Sequence, residues 1–308
     1  MRQLSIILLF ISFSLSAFSQ QDQAFRAELA TLLLSRDLEL SKPAIPQEIT
    51  VTTENGEDFV QVRLKHYGSA GTVRLLLKGP QGFLQTTSRS LGSVLLVSGF
   101  FTGVQSVKLL GAFPGTVIAG FQYPISPDDL KRDPAAAAGK LLRETPGQIA
   151  LALQWLARQS WADPKGVLAV GVSLGGLFLP SSLHLAQKIS VSVPRAVFVC
   201  TGAHLTPILE AGLRPHMGEG ISRPLVHAIA NLTALHDPKL HLPMLRGHYL
   251  SIRTAQDEVI PESSGRLLEE LLPKVDTVLL QGPHINPDQT EIINQTRLEI
   301  LNWLSKTH

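Results

Sequence analysis

Gly171-Val172-Ser173-Leu174-Gly175 sets a serine between two glycines, and the residues on either side decide what that turn is. Before it, Gly166-Val167-Leu168-Ala169-Val170 is a short apolar run of the kind that makes a buried strand. After it, residues 176–189 read as a helix. A Gly-x-Ser-x-Gly turn at a strand-to-helix junction forces the serine into a strained backbone conformation, with room beside it only for residues lacking a Cβ. The strain lifts the hydroxyl clear of the sheet, and the next backbone N–H, that of Leu174, opens the helix. An attacking oxygen and an oxyanion donor need that arrangement. The pentapeptide alone also suits an ordinary glycine-rich turn, so its context carries the decision.

Continuous apolar runs recur at residues 94–97, 116–119, 167–170, 196–200, 249–252 and 277–280, the signature of strands covered on both faces. Helical stretches at 146–161, 176–189, 262–272 and 289–306 alternate with them. That alternation predicts an α/β fold, a mostly parallel twisted sheet with helices on both faces. Ahead of it, residues 59–64 and 72–77 alternate apolar and polar and read as an antiparallel hairpin. Residues 23–41 read as an amphipathic helix with Phe25, Leu29, Leu32 and Leu33 on one side, broken by Lys42-Pro43-Ala44-Ile45-Pro46. One region departs from the alternation. Residues 204–247 are rich in Pro, Gly and His with room for two short helices, and predict a small lid or pocket wall.

The chain starts Met1-Arg2, continues with an apolar block to Phe18 and turns polar at Ser19-Gln20-Gln21-Asp22. This predicts a signal peptide over residues 1–19, cleaved near Ser19 or Gln20, and a secreted or periplasmic product; an uncleaved anchor is the alternative. The expected organisation is therefore 1–19 signal, 20–47 helical segment and linker, and 48–308 main domain with the lid at 204–247. No later stretch has the length and apolarity of a membrane helix, so no stable membrane insertion is expected after signal removal. A formal net charge of +2, with scattered Lys and Arg, gives no support to nucleic-acid binding. Cys200 is the single cysteine, which excludes an internal disulfide, and its apolar surroundings predict a buried, inert thiol. The histidines show no metal-site spacing, so neither metal nor cofactor is expected.

A serine hydroxyl needs a base within hydrogen-bond reach, and the base needs a partner to fix its tautomer. In a parallel sheet such groups belong at the carboxyl ends of strands. Residues 249–256 run into Asp257, followed by Glu258-Val259-Ile260-Pro261, where proline rules out a continuing central strand. Residues 277–283 run into His284, one helix later. Two consecutive strand ends thus offer a carboxylate and an imidazole, in the chain order Ser, Asp, His.

On Gly171-Val172-Ser173-Leu174-Gly175-Gly176, Asp257-Glu258-Val259-Ile260-Pro261 and Gly282-Pro283-His284, the sequence resembles the α/β-hydrolase superfamily over roughly residues 50–308. The turn at Asp163-Pro164 is similar to its dienelactone-hydrolase-like and prolyl-peptidase-like branches. The resemblance implies Ser173 as nucleophile, His284 as general base and acid, and Asp257 as the orienting acid. Members often carry His-Gly after the third strand, where this chain has Ser98-Gly99-Phe100-Phe101. The second oxyanion N–H then falls to Phe100, with Phe101 the alternative. A glycine common three residues before the acid is Thr254 here, which leaves Glu258 as a second candidate acid.

Phe100, Phe101, Val104, Leu109, Leu110 and Phe113 suggest an apolar substrate pocket, or else the packing of a first core helix. His204, after the strand ending at Cys200, is a further candidate pocket residue, with a structural role as the alternative. The expected function is a secreted serine hydrolase acting on a small-molecule carboxylic ester. A prolyl-peptidase-like aminopeptidase or acyl-peptide hydrolase with a peptide substrate is the first alternative, needing an acid such as Glu210 or Glu219 for the substrate amine. A non-catalytic scaffold that binds a ligand or partner is the second.

Overall fold

Among the residues described, nine strands form one sheet in the order β1-β2-β3-β5-β4-β6-β7-β8-β9. They are β1 (Ile45–Glu54), β2 (Glu57–Lys65), β3 (Thr72–Pro80), β4 (Leu91–Val97), β5 (Thr116–Gln122), β6 (Ala162–Val172), β7 (Arg195–Val199), β8 (His248–Gln256) and β9 (Val275–Pro283). The computed structural model describes the backbone of residues 20–35, 42, 44–65, 68, 70–111 and 113–307, and their side chains apart from 20–22 and 213–225. The signal segment expected over 1–19 lies outside the described residues.

Strands β4 to β9 pair in parallel, while β1, β2, β3 and β5 pair antiparallel. The six apolar runs fall in strands of the parallel part, with Cys200 one residue past the end of β7. In β4 to β8 their side chains alternate between two cores, one on each face; the run at 277–280, in edge strand β9, was expected to be covered on both faces but leaves Leu279 53% exposed. Leu95, Val97, Ala169 and Phe198 enter the first, and Val94, Leu96, Val170 and Val199 the second. A strand covered on both faces has no polar side to show, which is why these runs are unbroken.

The helices are α1 (Gln20–Ser35), α2 (Ser106–Leu109), α3 (Pro127–Arg132), α4 (Pro134–Ala157), α5 (Leu174–Lys188), α6 (Leu205–Leu232), α7 (Pro238–His241), α8 (Glu262–Leu271) and α9 (Thr290–Lys306). Helix α4 begins twelve residues earlier than its apolar pattern suggests. The Asp133 side chain caps it, Pro134 occupies its first turn, and it continues through Pro146. Two sequence expectations need correction. Helix α1 buries Ala27, Ala30, Thr31 and Leu34, whereas Phe25 and Leu32 are exposed at 69% and 66%. Small side chains and a threonine bonded to His184 let α1 sit close to α5, so size, not hydrophobicity, selects the face. After His204, where two short helices were expected, the chain forms the single 28-residue helix α6 and only then breaks into short turns. Among the described residues no helix is long and apolar enough to cross a membrane.

Candidate active site

Ser173 stands between the last residue of β6 and the first of α5, with φ 53° and ψ −121°, a conformation that L-residues rarely adopt. Such a residue costs on the order of 1–3 kcal/mol and persists only where its surroundings over-determine it. Three glycines do so here. A methyl on Gly175 would overlap the Val97 carbonyl oxygen at the end of β4, one on Gly171 would meet the Gly176 backbone at 2.8 Å, and one on Gly176 would meet Thr201 at 2.6 Å. The Ser173 N–H is tied to the Val199 carbonyl of β7 at 2.9 Å. The serine is thus wedged against the ends of three strands.

Strand register brings the other two groups to it. Along β8 and β9, Thr254 pairs with Leu280 but Gln256 pairs with Pro283, so one extra residue is taken up in β9. That bulge sets the next residues, Asp257 and His284, side by side; without it Asp257 would stand next to Pro283. Gly282 (φ 131°) lets the chain turn over Ile292 just before the histidine. The outcome is a continuous chain of contacts. His284 Nε2 lies 2.9 Å from Ser173 Oγ, and His284 Nδ1 lies 2.9 Å from both Asp257 carboxylate oxygens. The Asp257 and His284 side chains are almost wholly buried, 8% and 7% exposed.

The proton positions follow from chemistry. Burial pulls the Asp257 pKa upward, but hydrogen bonds from His284 and from the N–H groups of Ile260 and Val259 outweigh it and hold the carboxyl below its ordinary value. An ionised carboxylate only accepts, so His284 Nδ1 carries the proton that it donates to Asp257. The Nε2 lone pair is then left facing the Ser173 hydroxyl. Glu258, the second candidate acid, meets the histidine elsewhere: its carboxylate accepts the His284 backbone N–H at 3.1 Å. The ring belongs to Asp257.

The N–H of Leu174 is in the first turn of α5, where it has no intrahelical acceptor. On the other side, the turn after β4 is pinned twice. The N–H groups of Thr102 and Gly103 both donate to the Gly99 carbonyl, and Ser98 Oγ donates to the Gly103 carbonyl at 3.0 Å. Among the described residues no acceptor meets the N–H of Phe100 or Phe101. The Tyr123 hydroxyl donates to the Ser98 carbonyl at 2.7 Å, and burial drives its pKa upward, which keeps it a neutral donor. Sequence reasoning missed Tyr123 and the backbone role of Glu258. A tyrosine directly after an apolar strand end was the available signal for the first.

The expected pocket residues separate. Phe101 is 87% exposed at the rim of the turn, and its ring meets Phe100 edge-on at 5.4 Å. Val104 lies over Gly120 of β5. Phe113 is buried in the second core ahead of β5, at the other end of the strand from the turn, so it packs the core. His204 (φ 68°) precedes α6, where its N–H donates to Asp237 at 3.2 Å. Burial, then nearby Lys239, holds its pKa below the ordinary value, and it makes no hydrogen bond to the trio.

Cys200, read as an inert core thiol, has company. Its Sγ, an Asp257 oxygen and a His284 nitrogen all lie within 4.8 Å of one another, the one such trio of metal-type donors among the described residues. Burial, with the nearby carboxylates, pushes the thiol up to about 11. It stays protonated at neutral pH.

No family model matches the chain, and a search of curated proteins returns no match. Solved structures do resemble it. Acetyl xylan esterase 1 from Thermoanaerobacterium sp. JW/SL YS485 aligns over 92% of this chain and 99% of its own, at 13% identity and TM-score 0.62. The acetyl xylan esterase from Paenibacillus sp. R4 aligns over 94% and 98%, at 15% identity and TM-score 0.63. A hyperthermophilic esterase from the archaeon Pyrobaculum calidifontis aligns over 97% and 98%, at 14% and 0.54. With the strand order, the strained turn and the three strand-end groups in view, this chain has the α/β-hydrolase fold.

Proposed function

We propose that this protein is a serine hydrolase that cleaves carboxylic esters of small molecules. The observation that carries the reading is the unbroken contact from Ser173 Oγ through His284 to Asp257, each from a different strand end. The structural neighbours, which are esterases by name, support the same reaction class.

In the reaction, Ser173 Oγ attacks the ester carbonyl while His284 Nε2 accepts its proton. Asp257 holds the ring and stabilises the imidazolium. The N–H groups of Leu174 and Phe100 receive the oxyanion, each such donor worth roughly 3 kcal/mol, or about a hundredfold in rate. Collapse of the tetrahedral intermediate passes the proton from His284 to the leaving alcohol. Water, deprotonated by the same histidine, then releases the acid and restores the hydroxyl. Residues 204–247, expected as a lid, are part of the proposal as the wall of the substrate pocket. Export is proposed on the signal-like residues 1–19, and a mature amino terminus near residue 20 in secreted material would support it.

A panel of p-nitrophenyl esters beside aminoacyl p-nitroanilides tests the assignment. Faster turnover of the esters is expected. Faster turnover of the anilides would make the protein a peptidase, and no turnover of either would make it a binding scaffold.

A further inference from the structure

The wing of the sheet beyond β5 carries a second groove. Register places Glu48, Arg63, Arg74 and Gln122 in one straight row across β1, β2, β3 and β5. Their side chains stand on the face of Phe59, Leu76 and Ile118, which helices cover farther down the strands but not here. Val104 and Gln105, just after the Phe100 turn, close one side, leaving a space of about 230 Å³. That is below the usual range for drug-sized ligands and leaves room for a small one only. Gln122 ends β5 and Arg74 begins the antiparallel β3, so the groove opens at the same edge of the sheet as Ser173.

Its charges are unbalanced in a particular way. Arg63 and Arg74 face each other directly across two strands, an arrangement that costs a few tenths to about 1 kcal/mol. Glu48 compensates Arg63 at 3.3 Å. Arg74 is left, among the described residues, without an ion-pair or hydrogen-bond partner, flanked by the amides of Gln61, Gln105 and Gln122. A guanidinium is a planar five-donor fork that matches a carboxylate with two parallel bonds. Amides, which donate and accept, match hydroxyls.

We propose that this groove binds a carboxylate borne on a hydroxylated carbon chain, the chemistry of a sugar acid. Arg74 takes the carboxylate and the glutamines take the hydroxyls. The inference concerns binding alone and stands independently of Ser173 chemistry.

Calorimetric titration of the full chain with D-glucuronate, D-glucose and inorganic phosphate tests it. Saturable glucuronate binding is expected, with glucose and phosphate at least about tenfold weaker, a difference of ~1.4 kcal/mol. Arg74→Gln should weaken glucuronate binding by about tenfold or more and Gln61→Ala by a smaller factor, with no fall in melting temperature in either, since both side chains are exposed and the first change relieves the Arg63–Arg74 repulsion. No saturable glucuronate binding, equal affinity in Arg74→Gln, or phosphate binding as tightly as glucuronate would overturn the proposal.

Discussion

At the carboxyl ends of β4 and β6 to β8 the backbone has almost no freedom. Glycines at 171, 175 and 176 are pressed against neighbouring strands and side chains, and apolar side chains fill both faces below. At the opposite end of the sheet, every residue of β1 is exposed, and its outer edge pairs with nothing among the described residues. One region spends stability on holding a strained serine; the other is a polar, tolerant margin. Precision at the candidate site therefore comes from the two-sided core beneath it. The same contrast sets how much a substitution should matter.

The largest effect is expected at Asp257. Asp257→Asn leaves the shape but removes the acceptor that fixes the His284 tautomer, and kcat on esters should fall about 10⁴-fold. Glu258→Gln, which alters only the bond to the His284 backbone N–H, should cost less than about tenfold by comparison. Equal losses would mean that the ring depends on both acids. Next comes Gly175→Ala. The added methyl would overlap the Val97 carbonyl and push α5 off β4, with an expected loss of about 3 kcal/mol in urea unfolding and of activity with it. A variant of native stability would show that the turn is looser than described.

Acid should act on the buried histidines between these extremes. Burial, with His241 nearby, depresses His236 to about 3; burial, despite the Leu235 carbonyl, depresses His241 to about 4. Both lie below the unfolded value of about 6.5. The unfolded chain therefore binds more protons, so their contribution is fully present above pH 6.5 and is lost as pH falls toward 4. The melting temperature should drop between pH 7.5 and pH 5. His236→Phe, which keeps a ring against Phe178, should make the drop shallower. A flat profile in the parent chain would refute this. The smallest effect belongs to the margin: Ile49→Lys, at a site 48% exposed, should change stability by no more than about 0.5 kcal/mol.

The same contrast explains what could be read from the sequence. Strands β4 to β8 were legible because burial on both faces leaves continuous apolar runs, β9 kept an apolar run though one face is open, and the three strand-end groups could be placed from those runs. Strand β1 was not foreseen, its first residues falling in the expected linker to 47, because it has no buried face, and Pro46 and Glu48 sit where a bulge breaks its pairing. Helix α6 was misread because Pro and Gly punctuate it, and α4 was cut short at Pro146. The face of α1 was misplaced because pattern weighs side chains by hydrophobicity while close packing favours alanine. Register was invisible. The bulge between β8 and β9 that sets Asp257 beside His284 is a fact of pairing that no local stretch encodes.

The proposed reaction stands or falls on the Ser173 hydroxyl as nucleophile. Treating the purified full chain with a fluorophosphonate, then locating the adduct by peptide mass mapping, tests it most directly. A single phosphonyl group on Ser173 is expected, and none in Ser173→Ala of unchanged fold. Undiminished labelling of that variant, or an adduct on another residue, would contradict it.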